Sequence, residues 1–432
     1  MSSPDPRYTA AKCLMRVEGG GYSNLVLDSA LSRESFPRRD ADFLTALFYG
    51  TLEKLVSLDY FLSKWLKKGI GKLDPEVRVS LELGAYQCLY MDSVPARAAV
   101  DESVKLVKKL GKGYASGLVN AVLRRVSETG TEIPEEPRNL MLSVKYSIIP
   151  GLAEALERDY GPRAEEIMAG MGGRKPADIR INTMKISPRD AFQILDENGI
   201  RAEWLPSSAC LRLPGSIRDA GCLPAGTWAV QSYPAQCAVR ALELNKGMTV
   251  LDMCSAPGGK SLAAAEAIGG QGLVLACDND PGRLELVKKA ADEEGMSCIR
   301  ARLFDSEKDF AGMKFQRVLC DVPCSGYGEI CSKPELRLRD PSEAESLPDR
   351  QLAILENGAR HLDRGGKLVY STCTVLKKEN SGVVEAFLSR HPEFSADELP
   401  DWPGSEPQGP GRAFLPGRGG PEGFYVARLG II

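Results

Sequence analysis

The sequence has 432 residues, of which 43% are hydrophobic and 26% charged, and its formal net charge at pH 7 is −3. This length predicts two or three domains, and the composition is typical of an ordinary soluble globular protein. It contains no run of about 18 uncharged apolar residues, and its start, MSSPDPRYTA, lacks a basic segment followed by an apolar one, so we expect neither a membrane span nor a secretory signal, and a cytoplasmic location.

The first 126 residues or so are predicted to be helical. In LVSLDYFLSKWLKKG, apolar residues recur at helical spacing and Gly69 is predicted to stop the helix. In LDPEVRVSLELGAYQCLY, Asp74 is the predicted N-cap and Pro75 the first helical residue. The polar, proline-containing stretch SETGTEIPEEPRN is predicted to be a linker, which gives an all-helical first domain with its linker over 1–139.

The next region, 140–225, mixes helical segments with short β-like ones. DIRINTMKI is β-like and is followed by SPRDAFQILDENG, which is helix-like. The pattern predicts a small α+β segment.

From about 226 onward, short β-like runs alternate with helical ones. The four runs are MTVLDMC, GLVLACD, QRVLCDVP and GKLVYSTC. Such alternation predicts an α/β fold with a mostly parallel, doubly wound sheet over 226–432, in which ligands bind at the carboxyl ends of the strands.

The stretch LDMCSAPGGKS indicates a cofactor site. An acid on a buried strand precedes a turn with paired glycines and a helical segment, so backbone N–H groups can approach a polar ligand. Asp278 ends the next strand, at a position from which a carboxylate can accept hydrogen bonds from ribose hydroxyl groups. Together these features suggest an adenosine-containing cofactor. The turn is neither GxGxxG nor a P-loop, which disfavours hydride transfer and NTP hydrolysis. Asp305 follows another β-like run and is either an adenine contact or a surface acid.

The twelve cysteines are scattered, without a CxxC pair, and only two histidines are present. Structural zinc usually needs four Cys or His ligands at short paired spacings, so no metal is expected. Most of these cysteines are expected to be small buried hydrophobic residues. Taken alone, Cys373 in YSTCT fits that description too.

Three motifs, DMCSAPGGK, DVPCSG and YSTCT, in this order and spacing, resemble those of the RNA cytosine-C5 methyltransferases that use S-adenosylmethionine. The helical front end resembles the NusB-like RNA-binding domain of one branch of that family, through DFLTALFYGTLEKL, LELGAYQCLYMDSVPARAAVDESVKLVKK and GLVNAVLRRV. The resemblance covers nearly the whole chain. It implies an all-α NusB-like domain, a small α+β RNA-facing segment and a Rossmann-like methyltransferase domain. The implied substrate is 16S ribosomal RNA or a small-subunit assembly intermediate, and a monomer is expected.

The resemblance also implies roles for individual residues. Asp278 would hold the ribose and Asp305 would lie near the adenine. The implied cofactor-binding residues are Cys254, Ser255, Ala256, Pro257, Gly258, Gly259, Lys260, Asp278, Asp305 and Asp321.

The chemistry explains why two cysteines are needed. Cytosine C5 is a poor nucleophile, and a thiolate that adds to C6 makes C5 able to attack a methyl group. By resemblance, Cys373 of the Thr-Cys pair is the nucleophile, and Cys324 of the Pro-Cys pair resolves the adduct by removing the C5 proton. Asp321 would lie beside the cytosine ring. DNA cytosine methyltransferases use a Pro-Cys nucleophile without a Thr-Cys partner, so the presence of both predicts an RNA substrate.

The chain departs from the family pattern at Ser232-Tyr233, at Cys331-Ser332, where two arginines are common, and at Glu422 in a predicted final hairpin. Other interpretations stay open. A non-catalytic RNA-binding or assembly factor would not need the two thiols, and a redox protein is disfavoured without CxxC. The same chemistry on transfer RNA or large-subunit RNA is a closer competitor. One hypothesis is that phosphates are bound by Lys108, Lys109, Lys112, Arg124 and Arg125. The alternative is that these residues lie on ordinary solvent-exposed helix faces.

Overall fold

The structure is a computed structural model, and it describes residues 4–173, 176–206, 208–215, 217–308, 312–417, 420 and 422–432. The chain forms two compact units, Met1–Gly172 with Ser332–Pro341 and Gly173–Cys331 with Ser342–Ile432. Residues 332–341 therefore belong to the first unit, although they lie inside the range predicted for the third domain. The predicted boundaries at 139/140 and 225/226 stay a prediction.

The first unit is helical, as the periodicity predicted. Apolar residues spaced three and four apart put Leu44, Leu47 and Phe48 on one fully buried face, and a second apolar cluster includes Leu58 and Leu81. Its helices are α1 (Pro6–Glu18), α2 (Ser23–Arg33), α3 (Arg38–Ser63), α4 (Pro75–Tyr90), α5 (Ala96–Lys109), α6 (Ser116–Thr129), α7 (Arg138–Tyr146), α8 (Pro150–Tyr160) and α9 (Ala164–Gly170).

One local prediction in this unit is wrong, and a second, Asp74 as the N-cap, is confirmed in position but lacks the capping hydrogen bond. Helix α3 ends at Ser63, before Gly69, because its last turn tightens: Trp65 N donates to Leu62 O, a three-residue hydrogen bond. Helix α4 begins at Pro75 as predicted, but the Asp74 side chain makes no capping hydrogen bond. The Asp74 carboxylate instead accepts from Lys112 Nζ at 2.8 Å and from Tyr114 Oη at 2.7 Å.

The second unit begins with a small antiparallel sheet in the strand order β2-β3-β1-β4, with one helix. The predicted strand and helix of this segment are both present. Its elements are β1 (Ala177–Ile181), α10 (Pro188–Glu197), β2 (Glu203–Trp204), β3 (Cys210–Leu213) and β4 (Trp228–Val230).

The rest of the second unit is a large sheet with helices between its strands. Its elements are α11 (Tyr233–Arg240), β5 (Thr249–Asp252), α12 (Gly259–Ala267), β6 (Leu273–Asp278), α13 (Pro281–Glu294), β7 (Ile299–Leu303), β8 (Phe315–Asp321), α14 (Leu347–Arg360), β9 (Leu362–Thr372), α15 (Ser381–Arg390), β10 (Phe394–Ala396), β11 (Ser405–Gln408), β12 (Gly411–Phe414) and β13 (Phe424–Ile431).

The order of this sheet is β11-β12-β13-β9-β8-β5-β6-β7, with β10 paired to β13. Strands β9, β8, β5, β6 and β7 are parallel to one another, and β13 and the strands beyond it are antiparallel. The four predicted runs are β5, β6, β8 and β9. Because these strands are parallel, their carboxyl ends meet at one edge, where ligands of such sheets bind. Within the described ranges, no helix is both long and apolar enough to cross a membrane.

Candidate active site

The glycine turn follows β5 at the edge described above. Gly258 has a φ of 109°, in the left-handed region that glycine adopts without strain, and α12 begins at the next residue. Asp252 at the end of β5 accepts a 2.6 Å hydrogen bond from Ser261 Oγ, and burial raises the pKa of its carboxyl to about 7. Asp252 Oδ1 and the buried Ser255 Oγ have no hydrogen-bond partner among the described residues, so the turn presents polar atoms that a ligand can satisfy.

Asp278 lies beside this turn because β6 pairs with β5. Its carboxylate is buried and accepts from Ala256 N at 3.2 Å and from Asp280 N at 3.1 Å. Arg283 binds the same region, donating to Ala256 O at 2.9 Å. A carboxylate has about four lone-pair sites, so Asp278 can still accept hydroxyl groups from a ligand.

Asp305 follows β7, the strand next to β6. Lys308 lies 2.8 Å from its carboxylate, and the hydrogen bond from Lys308 lowers the pKa of Asp305. The sheet therefore brings Asp305 to the same edge as Asp278.

Asp321, at the end of β8, connects the glycine turn to β9. Lys260 Nζ of α12 lies 2.7 Å from Asp321 Oδ2, and Ser371 Oγ of β9 donates to Asp321 Oδ1 at 2.7 Å. Burial by itself lowers the pKa of Lys260, but the negative charge of Asp321 outweighs it and holds that pKa above its ordinary value. Lys260 is therefore a fixed positive charge, and both oxygens of Asp321 are held in place.

The two predicted cysteines meet at this edge. Cys324 follows β8 and Cys373 follows β9, and Asp321 pairs with Ser371 across these parallel strands. The Cys324 and Cys373 sulfur atoms are 3.2 Å apart, both side chains are half-buried, and neither is in a disulfide.

The Cys373 thiol is held in its protonated form at rest. Its hydrogen bond with Cys324 and its burial raise its pKa well above the ordinary value, and the charges of Glu329 and Asp321 raise it further. Glu329 is also in direct contact, with Oε2 3.4 Å from the Cys373 sulfur.

Buried hydrogen bonds fix the loop that carries Cys324. Gly328 N donates to Cys373 O at 2.9 Å, and Gly423 N donates to Gly328 O at 2.8 Å. Glu379, fully buried, accepts from Ser325 N at 2.9 Å. Hydrogen bonds therefore join the loop to the end of β9 and to Glu379.

The sequence interpretation missed three of these residues: Ser371, Glu329 and Glu379. Ser371 lies inside the stretch YSTCT, and Glu329 lies three residues after DVPCSG, but no spacing rule connects them to Asp321 or to Cys373. Glu379 lies in KKEN, where a surface acid is the ordinary expectation.

Of the positions that depart from the family pattern, Tyr233 has an ordinary local role in packing and hydrogen bonding. Tyr233 is buried, donates its backbone N–H to Asp178 at 2.9 Å, and packs edge-on against Phe414. Cys331 and Glu422 are half-buried, and Ser332 is exposed.

Three of the helical-domain cations that we considered for phosphate binding have carboxylate partners. These pairs are Lys109 with Asp5 at 3.0 Å, Lys112 with Asp74 at 2.8 Å and Arg125 with Glu128 at 3.9 Å. Part of their charge is therefore compensated locally, and phosphate binding by these residues stays a prediction.

The arrangement suits nucleophilic chemistry next to a bound cofactor. One thiol can attack, the second lies close enough to exchange a proton, and the fixed ammonium–carboxylate pair of Lys260 and Asp321 lies near Cys373. Among the residues that the structure places, no group of three or more His, Cys, Asp or Glu side chains could hold a metal ion.

Known proteins are similar over the whole chain. Residues 239–430 match the family described as 16S rRNA methyltransferase RsmB/F, residues 4–128 match the NusB family, and residues 152–218 match the RsmF/B-like ferredoxin-like domain. The probable ribosomal RNA small subunit methyltransferase B of Bacillus subtilis is 33% identical, with 99% of each chain covered. The ribosomal RNA small subunit methyltransferase B of Thermus thermophilus is 34% identical, covering 99% of this chain and 98% of that protein.

A solved structure shares the fold of about two thirds of the chain. The crystal structure of a methyltransferase homolog protein from Pyrococcus horikoshii is 25% identical and superposes with a TM-score of 0.60. The match covers 69% of this chain and 100% of that chain.

Proposed function

Because the chain belongs to the RsmB/F family of 16S rRNA methyltransferases, we propose that it transfers a methyl group from S-adenosylmethionine to C5 of a cytosine in 16S ribosomal RNA, through a covalent bond between Cys373 and C6. The observation that carries the proposal is the pair of free thiols 3.2 Å apart at the ends of parallel strands β8 and β9, beside the glycine turn. The chain acts on ribosomal RNA or on a small-subunit assembly intermediate, as a monomer in the cytoplasm.

The residues around the glycine turn fit S-adenosylmethionine. The unpartnered polar atoms of Asp252 and Ser255 are buried in that turn, within the described part of the chain, and a ligand with amino, carboxylate and hydroxyl groups would satisfy them. In our assignment, Cys254 to Lys260 surround the methionine portion, Asp278 accepts from the ribose and Asp305 lies near the adenine. When bound, the cofactor supplies an electrophilic methyl group on a sulfonium centre.

The residues of the chain prepare the cytosine for this methyl group. The Cys373 sulfur forms a bond to C6, the C5–C6 π electrons move toward C4 and N3, and C5 becomes nucleophilic. Asp321, held by Lys260 and Ser371, borders the ring and stabilises the charge that develops on the N3/N4 edge.

Cys324 completes the reaction. After C5 has gained the methyl group, the Cys324 sulfur, having released its own proton to solvent, accepts the C5 proton, the C5–C6 double bond re-forms, and the C6–S bond breaks with its electrons returning to Cys373. The 3.2 Å contact between the sulfur atoms supports this division, because both groups reach one small ring. C5 and C6 can be reached only if the cytosine is single-stranded or flipped out of its stack.

The proposal is tested by mixing unmodified 16S ribosomal RNA and S-adenosylmethionine with wild-type protein, Cys324→Ala or Cys373→Ala. Methyl transfer and a denaturation-resistant protein–RNA adduct are both measured. We expect Cys324→Ala to accumulate the adduct and Cys373→Ala to form none and to be inactive. Cys222→Ala is the matched control, since it removes a half-buried thiol far along the chain from both motifs.

Contrary outcomes separate the parts of the proposal. If Cys373→Ala still methylates the RNA, the covalent mechanism is wrong. If the wild-type protein methylates large-subunit RNA or transfer RNA in place of 16S RNA, the chemistry stands and the substrate is wrong.

A further inference from the structure

Glu329 is an acidic side chain in direct contact with the proposed nucleophile. Its Oε2 atom lies 3.4 Å from the Cys373 sulfur, within the range of a sulfur hydrogen bond. We propose that Glu329 is the general base that takes the thiol proton of Cys373 as the sulfur attacks C6. The inference rests on the proposed function, since it takes Cys373 to be the nucleophile.

The backbone holds Glu329 against Cys373. Glu329 ends a 3₁₀ turn, Tyr327–Glu329, that follows Gly326, whose φ is 79°, and Glu329 N donates to Gly326 O at 2.9 Å. The middle residue of that turn, Gly328, donates to the backbone carbonyl of Cys373 itself. The carboxylate and the thiol are therefore positioned by the same hydrogen-bonded frame, as a base and its nucleophile must be.

The other charged or titratable groups that face Cys373 are less suited to accept its proton. Lys260 is a protonated ammonium ion, and the two oxygens of Asp321 already accept from Lys260 and Ser371. Cys324 has a separate role in the proposed reaction, since it removes the C5 proton. Glu329 is the group whose carboxylate contacts the sulfur.

A base is needed because the thiol does not ionise readily at rest. The thiolate is the nucleophile, yet the surroundings of Cys373 favour the protonated form, so the proton has to leave during attack. In that step the S–H bond breaks, the proton moves to Glu329 Oε2, and the sulfur electron pair forms the S–C6 bond. When the C6–S bond breaks at the end, the proton returns from Glu329 to the sulfur.

The decisive variant is Glu329→Gln, because we expect it to speed the alkylation of Cys373 and to slow methyl transfer. Removing the negative charge makes Cys373 easier to ionise, so its alkylation by iodoacetamide in the protein without RNA shifts to lower pH. We expect alkylation to be about three- to tenfold faster at pH 7.5, measured by mass spectrometry on the peptide that contains Cys373. Methyl transfer in single turnover falls by roughly 10²–10³, because the base is lost.

The pH dependence and a conservative variant add further readouts. The rate of Glu329→Gln rises by about tenfold per pH unit below the thiol pKa, since it then depends on spontaneous ionisation, whereas the wild-type rate depends less steeply on pH. Glu329→Asp retains the carboxylate and recovers part of the rate. Glu343→Gln is the matched control: it removes an exposed carboxylate and leaves both readouts as in wild type.

Three outcomes would overturn the inference. If Glu329→Gln transfers the methyl group at the wild-type rate, Glu329 is not the base. If Cys373→Ala is inactive in the same assay, the proposed function nevertheless stands. Slower alkylation together with slower methyl transfer means that Glu329 only holds the loop in place. An active Cys373→Ala, by contrast, removes the covalent mechanism on which the inference rests.

Discussion

Replacing Gly328 with alanine tests whether the loop of Cys324 and the end of β9 must keep their close backbone contact. A Cβ atom at Gly328 would lie 1.9 Å from Gly423 O and 2.7 Å from Cys373 O, whereas real Cβ contacts essentially never fall below 3.0 Å. The backbone on one side must therefore move by about 1 Å. That movement stretches the two hydrogen bonds that Gly328 makes to these same residues, now 2.8 and 2.9 Å long.

The expected cost follows from these contacts. Losing two buried backbone hydrogen bonds costs roughly 1 kcal/mol each, and overpacking adds roughly 1–3 kcal/mol. The midpoint of thermal unfolding for the second unit should fall by roughly 6–20 °C, taking about 2–4 °C per kcal/mol for a domain of this size. A displacement of about 1 Å near the reacting atoms should also lower methyl transfer by roughly 10²-fold.

Calorimetry and a single-turnover methyl-transfer assay measure the two effects. Gly117→Ala is the control: Gly117 is an exposed residue of α6, a Cβ there meets nothing within 4 Å, and alanine should stabilise the helix by roughly 0.5–1 kcal/mol. An unfolding midpoint within 2 °C of wild type and full activity for Gly328→Ala would refute the reasoning.

Three further substitutions test other buried polar groups. Burial raises the folded-state pKa of Asp252 to about 7, so the free energy of unfolding of the wild-type protein should fall by about 1.4 kcal/mol per pH unit relative to Asp252→Asn as pH rises from about 4 to about 7. Denaturant unfolding at several pH values measures this difference, and a pH-independent difference would contradict it. The Arg337 side chain is 1% exposed and donates to backbone carbonyls including Ser147 O at 3.0 Å and Met171 O at 3.1 Å. The compact ammonium group of lysine lacks the planar fork of arginine, so Arg337→Lys should destabilise the first unit by roughly 2–4 kcal/mol. Calorimetry measures this loss, and an unchanged unfolding midpoint would argue against this role. Glu379→Gln keeps the side-chain size but loses the charge-assisted hydrogen bond from Ser325 N, so methyl transfer should fall by roughly tenfold or more in a kinetic assay, and wild-type kinetics would show that the Cys324 loop needs no such support.

The family and the fold class that the sequence predicted are confirmed. The relatives of B. subtilis and T. thermophilus match along the whole chain, and the NusB and RsmB/F matches cover its two ends. The predictions of family and of fold class both depend on local sequence signals. Residues of one helical face recur every three or four positions, and buried parallel strands form short apolar runs between helices, so each can be identified without knowing its neighbours in space.

The placement of several chemically important residues at strand ends could also be predicted. Asp252, Asp278, Asp321 and Cys373 each end a predicted strand or directly follow it, and parallel strands in one sheet gather such ends at one edge. Their catalytic and cofactor-binding roles stay predictions that the experiments above test.

Other features were decided only by tertiary structure, because they join residues far apart in the chain. The sequence alone does not give the 3.2 Å distance between Cys324 and Cys373, since it depends on the register of β8 against β9. It does not give the contact of Glu329 with Cys373, which depends on how a 3₁₀ turn folds back on β9. The grouping of 332–341 with the helical unit, where Arg337 is buried, is likewise beyond local pattern. Periodicity and turn residues encode the local elements. The register between strands, the path of a loop back to a strand and the burial of a charged side chain are set by packing between distant segments.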